Sequence, residues 1–329
     1  MRVAIIGARR VRQGLGPFLA RFVAEAGHDV AAVVGTRPET AVEAATDIET
    51  ATGQSPRATT ELDGVLEAGC DAMIIASPHA THGAWLEKAV LHGLHVLCEK
   101  PLVWGHANAG AEADRRASLF VQQGLVLRVN TQWPLTLDTF RELHPAAPAC
   151  PARFFMQMPP RQRGLASLLD CLSHPLSMLA HLAIPADADA KRRRLVTMDG
   201  IEALRFEAGG PDTGRWELRF RYVSGEGAID THLVFDSTAD PERRTTYALD
   251  DHQATRVVEP STYAMTLEDQ GRSIPLPDPT RRLVRSFLDA CQAGLQPMDM
   301  AWDPAARPGV RHLEQIMTAA AEQYGASLP

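Results

Sequence analysis

The sequence predicts an α/β protein of two domains: a parallel sheet wound with helices over residues 1–128, and a mainly antiparallel sheet with helices over residues 129–329. Three observations carry this expectation. Strand and helix patterns alternate from residue 3 to residue 129, which calls for β-α-β crossovers and therefore parallel pairing. Apolar runs such as Ala72-Met73-Ile74-Ile75 are near-continuous, as strands are when both faces of their sheet are covered. Beyond Asn130 strand follows strand through short polar turns, the habit of antiparallel hairpins.

The elements follow in order. Residues 3–6 form the opening strand. Residues 16–26 place Phe18, Leu19, Phe22 and Val23 at helical spacing and stop at Gly27. Residues 30–34 are a strand, and residues 38–50 a helix that begins on Pro38 and ends before Gly53. A strand over 71–76, a helix over 80–91 ended by Gly93, a strand over 96–98, a helix over 106–123 and a strand over 125–129 complete the first domain. In the second, residues 134–143 read as a helix, 153–158 as a strand and 166–182 as one long helix. Pro175 removes a hydrogen bond there and predicts a kink. Strands over 201–207, 216–222, 228–235, 245–249 and 256–258 precede two closing helices, 280–293 and 308–324.

Composition narrows the function. The 329 residues carry a net charge of −7, which does not suit a nucleic-acid or anionic-membrane partner. The run Lys191-Arg192-Arg193-Arg194 is too short to reverse that and reads as a solvated loop. No apolar run approaches membrane-spanning length, and the chain opens on a strand rather than a leader. Five scattered cysteines without a C-x-x-C read as reduced thiols, so a cytoplasmic protein is expected.

The chemistry concentrates at the ends of the parallel strands, where ligands of open α/β sheets bind. Gly7, at the first strand-to-helix turn, opens a stretch with Arg9, Arg10 and Gly14 that suits a pyrophosphate. The second strand ends in Thr36-Arg37 where an NAD site usually has an acid; a hydroxyl and a guanidinium suit a 2′-phosphate, so NADP(H) is expected over NAD(H). Ser77-Pro78-His79 and His82 follow the strand over 71–76; the two histidines have no carboxylate or cysteine beside them, so no metal is expected. Glu99-Lys100-Pro101 follows the strand over 96–98. Lys100 is one of only three lysines, against thirty arginines. Arginine does not titrate near neutral pH, whereas a partly buried lysine can. In the second domain Asp170 and His174, at i and i+4, share a helical face and suit proton transfer.

Gly93-Leu94-His95-Val96-Leu97-Cys98-Glu99-Lys100-Pro101, the Pro78…His82 spacing and Asp170-x-x-x-His174 together resemble the glucose–fructose oxidoreductase / inositol 2-dehydrogenase / MocA family. The resemblance implies an N-terminal Rossmann domain and a C-terminal α/β domain with a large open, mainly antiparallel sheet through which copies pair as a homo-oligomer. It implies hydride transfer between NAD(P) and a carbinol or carbonyl carbon of a sugar-like, cyclitol or related small substrate. Lys100 and His174 would manage the proton, Asp170 would orient His174 or bind substrate, and Glu99 would position Lys100. The Lys100-Pro101 bond is expected cis. Two departures stand out: the glycine loop is long and arginine-rich, and Gln132-Trp133 stand where many sugar-acting members have an arginine and an aromatic. Gln132, Trp133, Arg161 and Arg163 are the candidate substrate contacts; the two arginines would clamp a carboxylate or phosphate. A non-catalytic nucleotide-sensing regulator of the same fold and an NAD-dependent glycosidase remain the alternatives.

Overall fold

The computed structural model describes residues 1–9, 15–105, 107–185, 197–237, 244–293 and 308–329. Arg10, Gly14 and the basic run 191–194 lie outside the described residues. The chain forms two compact units: residues 1–130 with a returning segment that starts at Thr280, and residues 131–279 with the C-terminal segment from Arg307.

The first unit holds β1 (Arg2–Ile6), α1 (Gly16–Glu25), β2 (Asp29–Val34), α2 (Pro38–Thr52), β3 (Arg57–Thr59), α3 (Leu62–Glu67), β4 (Ala72–Ile75), α4 (His82–Leu91), β5 (His95–Cys98), α5 (Ala109–Gln122) and β6 (Leu127–Val129). Its six strands run in the order β3-β2-β1-β4-β5-β6, all parallel. The order reverses between β1 and β4. At such a switch point the connecting helices leave on opposite faces, and a crevice opens at the carboxyl ends of the strands. The short β3 and α3 lack a periodic apolar signal, which is why the sequence reading passes over them.

The helix Pro279–Gln292 belongs to this unit, although the sequence reading places it in the second domain. Its stripe Val284, Phe287 and Leu288 is fully buried in one core with Leu19, Phe22 and Val23 of α1, Ile5 of β1 and Val33 of β2. Arg281 on the same helix pairs with Glu25 at 2.9 Å. An amphipathic stripe tells a helix to bury one face but not against what, so a single cut of the chain at 128/129 could not be refined from periodicity.

The second unit contains α6 (Leu137–Leu143), β7 (Arg153–Met158), α7 (Leu165–Cys171), α8 (Ser173–Leu182), β8 (Met198–Gly209), β9 (Arg215–Ser224), β10 (Gly227–Asp236), β11 (Thr245–Leu249), β12 (His252–Val258), β13 (Met265–Asp269), β14 (Arg272–Leu276) and the helix Pro308–Tyr324. Eight strands pair in the order β14-β13-β12-β11-β7-β10-β9-β8; β7 and β10 are parallel and every other pair is antiparallel. The hairpin β13–β14 is absent from the sequence reading because it lies at the sheet edge with few buried residues. Its tight turn sets Gln270 and Gly271 at positive φ, and Pro275 sits on the edge strand, where a missing N–H is tolerated.

Period-two alternation turns Trp216, Leu218, Phe220 and Tyr222 of β9 inward, all buried. These side chains therefore do not lie on the outer face of the sheet through which the resemblance implies pairing. The outward positions carry ion pairs instead: Arg215 with Glu217 (2.6 Å) and Asp236 (3.2 Å), and Arg219 with Glu207 (2.7 Å).

Candidate active site

In the first unit the residues just past each strand assemble along the carboxyl edge through main-chain bonds. The amides of Gly7, Gly35, Ala76, Glu99 and Asn130 donate to Val34, Thr59, Ile6, Ile75 and Cys98 respectively, at 2.7–3.0 Å. Gly7 has φ +78°, and a Cβ built on it would stand 2.8 Å from Cα and N of Ser77. Only glycine fits there, so the turns after β1 and β4 touch backbone to backbone at the switch point. Gly16 plays a similar part at the start of α1, where an added Cβ would stand 2.2 Å from the carbonyl oxygen of Ala8. The α1 N-terminus has no side-chain cap and no acid in its first turn. A glycine turn at the switch point, next to an uncapped helix start, suits the phosphates of a dinucleotide.

Thr36 and Arg37 are exposed at the end of β2. Arg37 precedes α2, whose first turn is closed by Thr40: the Arg37 amide donates to Thr40 Oγ1 (3.1 Å) and that hydroxyl donates back to the Arg37 carbonyl (2.8 Å). These bonds hold the Arg37 main chain and leave its guanidinium outside. Arg9 pairs with Glu43 of α2 at 3.0 Å.

After β4, Ser77 Oγ and Thr81 Oγ1 share a hydrogen bond of 2.6 Å, and Thr81 also donates to the Pro78 carbonyl. His82 is buried, with Nδ1 2.9 Å from the Pro101 carbonyl and Nε2 2.8 Å from the Ser77 carbonyl. It therefore braces the two turns that follow β4 and β5, and both its ring nitrogens are engaged. The Lys100-Pro101 bond is cis. Lys100 is half-buried. It lies close enough to His79 that its charge, after burial, lowers the His79 pKa. The carboxylate of Glu99 accepts a hydrogen bond from Asn130 Nδ2. Asn130 is a buried site residue that the sequence reading passed over; nothing in the strand pattern distinguishes it.

In the second unit the predicted long helix is divided. α7 ends at Cys171 and α8 begins at Ser173, with Pro175 in its first turn unable to donate to the preceding helix. Leu172 between them keeps helical angles (φ −60°, ψ −32°), so Asp170 and His174 retain their shared face despite the break. Both are half-buried. Trp133 is buried and meets His174 edge-on, ring centroids 6.2 Å apart, with Tyr247 of β11 on another edge at 6.1 Å. The guanidinium of Arg256 stands 4.2 Å over the Trp133 ring. Tyr247 is buried with its hydroxyl 2.9 Å from Thr136 Oγ1, and burial raises its pKa. Gln132 is half-buried, while Arg161 and Arg163 are exposed. Among the described residues no group of three or more His, Cys, Asp or Glu could hold a metal ion, and no helix is long and apolar enough to cross a membrane.

Residues 1–131 match the model of the GFO/IDH/MocA family, an oxidoreductase family with an NAD-binding Rossmann fold. Residues 1–131 carry the Rossmann domain of that family. The chain is an NAD(P)-binding oxidoreductase. None of the curated protein sequences matches it. Solved structures extend the likeness of fold to the whole chain. UDP-N-acetylglucosamine 3-dehydrogenase GnnA from Acidithiobacillus ferrooxidans is 21% identical with a TM-score of 0.66, covering 97% of both chains. The 3-ketoreductase KijD10 from Actinomadura kijaniata, solved with NADP, is 20% identical with a TM-score of 0.64, again over 97% of each. The WlbA dehydrogenase from Thermus thermophilus, solved with NAD and UDP-GlcNAcA, is 15% identical with a TM-score of 0.64 over 100% of this chain and 97% of that one.

Proposed function

We propose that this chain is a dehydrogenase or reductase that acts on a carbinol/carbonyl pair of a sugar-like substrate, with NADP(H) as the preferred cofactor. The observation that carries the reading is the carboxyl edge of the first unit, where the glycine turn after β1 meets Ser77 at the switch point and Lys100 stands on the neighbouring turn, the place where a pyrophosphate binds in such sheets. Gly7, Ser77 and Pro78 would hold the phosphates and the adjoining ribose, and Thr36 and Arg37 the 2′-phosphate, because their polar groups stand exposed with no carboxylate in the position that would repel it. The cofactor supplies or accepts the hydride.

The chain's own work is the proton. Lys100 holds the substrate oxygen and shares its proton, and His174 acts as general acid or base. Asp170, one helical turn before His174, orients the imidazole. Glu99, itself held by Asn130, keeps the Lys100 turn in place. The similar structures of a UDP-N-acetylglucosamine dehydrogenase and of a dehydrogenase holding UDP-GlcNAcA support a sugar ring as the reacting group. The five cysteines are free, which supports a reducing, cytoplasmic setting. A homo-oligomer is part of this reading, with the charged outer face of β8–β10 as its contact.

The test is a panel of hydroxy- and keto-sugars, free and nucleotide-linked, offered with each cofactor while the reduced-nicotinamide absorbance is followed. Turnover that disappears in Lys100→Ala supports the reading. No turnover with any of them, or full turnover in Lys100→Ala, counts against it.

A further inference from the structure

The placement of Arg256 in the second unit runs against its chemistry. On β12 it occupies the same face as Ala254, which is fully buried. Its guanidinium lies 4.2 Å over the Trp133 ring. It forms no ion pair and no hydrogen bond with any described residue, and its Nε is sealed from solvent without a partner. Burial pushes its pKa down, to about 10, which still leaves the group charged at neutral pH. After burial, Tyr247 pulls the pKa back up, Arg161 lowers it and Asp278 raises it.

An arginine held this way is costly. Buried charges are normally paired, and the face of one tryptophan replaces only a small part of a guanidinium's lost hydration. Arg256 is half-buried, and its sealed Nε–H has no partner; a rigid guanidinium fork held this way suits a planar or tetrahedral oxyanion. The position also has a direction. Trp133 touches Arg256 with its face and His174 with its edge, so the guanidinium and the imidazole are separated by no more than the 4.2 Å and 6.2 Å contacts laid end to end. A sugar ring bearing an anionic group is long enough to reach both groups past the Trp133 ring.

We infer that Arg256 is an oxyanion-binding residue of the substrate site, so that the substrate carries a phosphate or carboxylate group on or next to the sugar ring that reacts at His174. The shared chemistry is the oxyanion; a phosphate of a nucleotide-linked sugar and the carboxylate of a sugar acid are its two sources. The inference rests on the reading of His174 as a catalytic residue, but its test does not use turnover.

Binding is measured by calorimetry on the whole protein, with NADPH saturating so that the first unit's phosphate crevice is filled. The probes are UDP for the phosphate and D-glucuronate for the carboxylate. At least one binds the wild type, and Arg256→Met weakens it roughly ten- to hundredfold, the range for a lost charge-assisted hydrogen bond. Arg256→Lys keeps the charge and restores part of that loss, which separates recognition from misfolding; circular dichroism checks that both variants fold. Binding of UDP alone names a phosphate, and binding of glucuronate alone names a carboxylate. The inference is overturned if neither probe binds, or if Arg256→Met binds as the wild type does. Failure of Lys100→Ala to reduce turnover would strike the functional reading and leave this binding result standing.

Discussion

His82 holds the carbonyl of Pro101 at 2.9 Å, and through its other ring nitrogen the carbonyl of Ser77 at 2.8 Å. Both partners can only accept, so a neutral imidazole satisfies one and an imidazolium satisfies both. Burial is the largest influence and lowers the pKa; the carbonyls of Ser77, Pro101 and Leu102 pull it back up. His82 is therefore a brace between the turns after β4 and β5, and it has no ring nitrogen left for a cofactor. His82→Leu should cost about 1–3 kcal/mol, the penalty for stranding a buried carbonyl. His82→Asn, whose amide sits where Nδ1 was, should keep the Pro101 arm and lose less. Urea unfolding of the three proteins checks this order, and equal stability of all three contradicts the brace.

Cofactor choice turns on Arg37. The wild type should bind NADPH more tightly than NADH, and Arg37→Ala should lose roughly 1.5–3 kcal/mol of NADPH affinity while NADH binding stays nearly constant. Fluorescence titration with both cofactors decides it. A preference for NADH in the wild type would sink the assignment.

Lys100→Ala should lower turnover by about 10²–10⁴-fold with NADPH affinity almost intact, the signature of lost acid–base catalysis. His174→Ala should produce a comparable loss and remove one limb of the pH–rate profile. Steady-state kinetics over pH, beside cofactor titrations of each variant, separate these effects from a binding defect.

Acid should destabilise the fold through its histidines. His312 is buried, edge-on to Tyr222 at 5.1 Å, and burial followed by the charge of Arg311 lowers its pKa to about 4. His28, His79, His82 and His95 are also lowered, each chiefly by burial. Between pH 6.5 and about 4 the unfolded chain takes up a proton at position 312 that the native state refuses, so stability present above pH 6.5 drains away as pH falls. His312 alone accounts for about 3 kcal/mol across that window. The midpoint of urea unfolding, followed from pH 7 to about 4.5, should fall steeply in the wild type and less so in His312→Phe. An equal slope in both refutes the attribution.

Phe287→Ala should remove roughly 3–5 kcal/mol, the usual cost of emptying a phenylalanine site in a packed core. Phe287 is fully buried among α1 and the parallel strands, so the loss should be accompanied by weaker cofactor binding. Hydrogen exchange that loosens only the second unit would argue against its place in the first.

Most of the parallel half was legible because its signals are local. Apolar strands bounded by glycines and helices begun by proline do not depend on what they pack against. The turn Glu99-Lys100-Pro101 announced itself by chemistry, a rare lysine at a strand end. What stayed hidden was relational. The bracing role of His82 depends on two carbonyls, one of them 19 residues downstream. Arg256 lies on a strand that was recognised only from 256 onward, and its meaning comes from the face it shares with Ala254 and from a tryptophan 123 residues earlier. A charged residue at an inward strand register was the available clue, and it becomes readable once the full strand from His252 is drawn.

The return of the helix Pro279–Gln292 to the first unit gives that unit a history as well as a shape. A ribosome delivers the nucleotide-binding sheet early, yet the side chains that close its core, Val284, Phe287 and Leu288, arrive only after the whole eight-stranded sheet has been made. Until then the apolar faces of α1 and its neighbouring strands wait for cover. The core of the first unit is therefore closed late, and a chain interrupted between residues 131 and 283 would hold every residue of the Gly7–Lys100 edge and still lack the packing that steadies it.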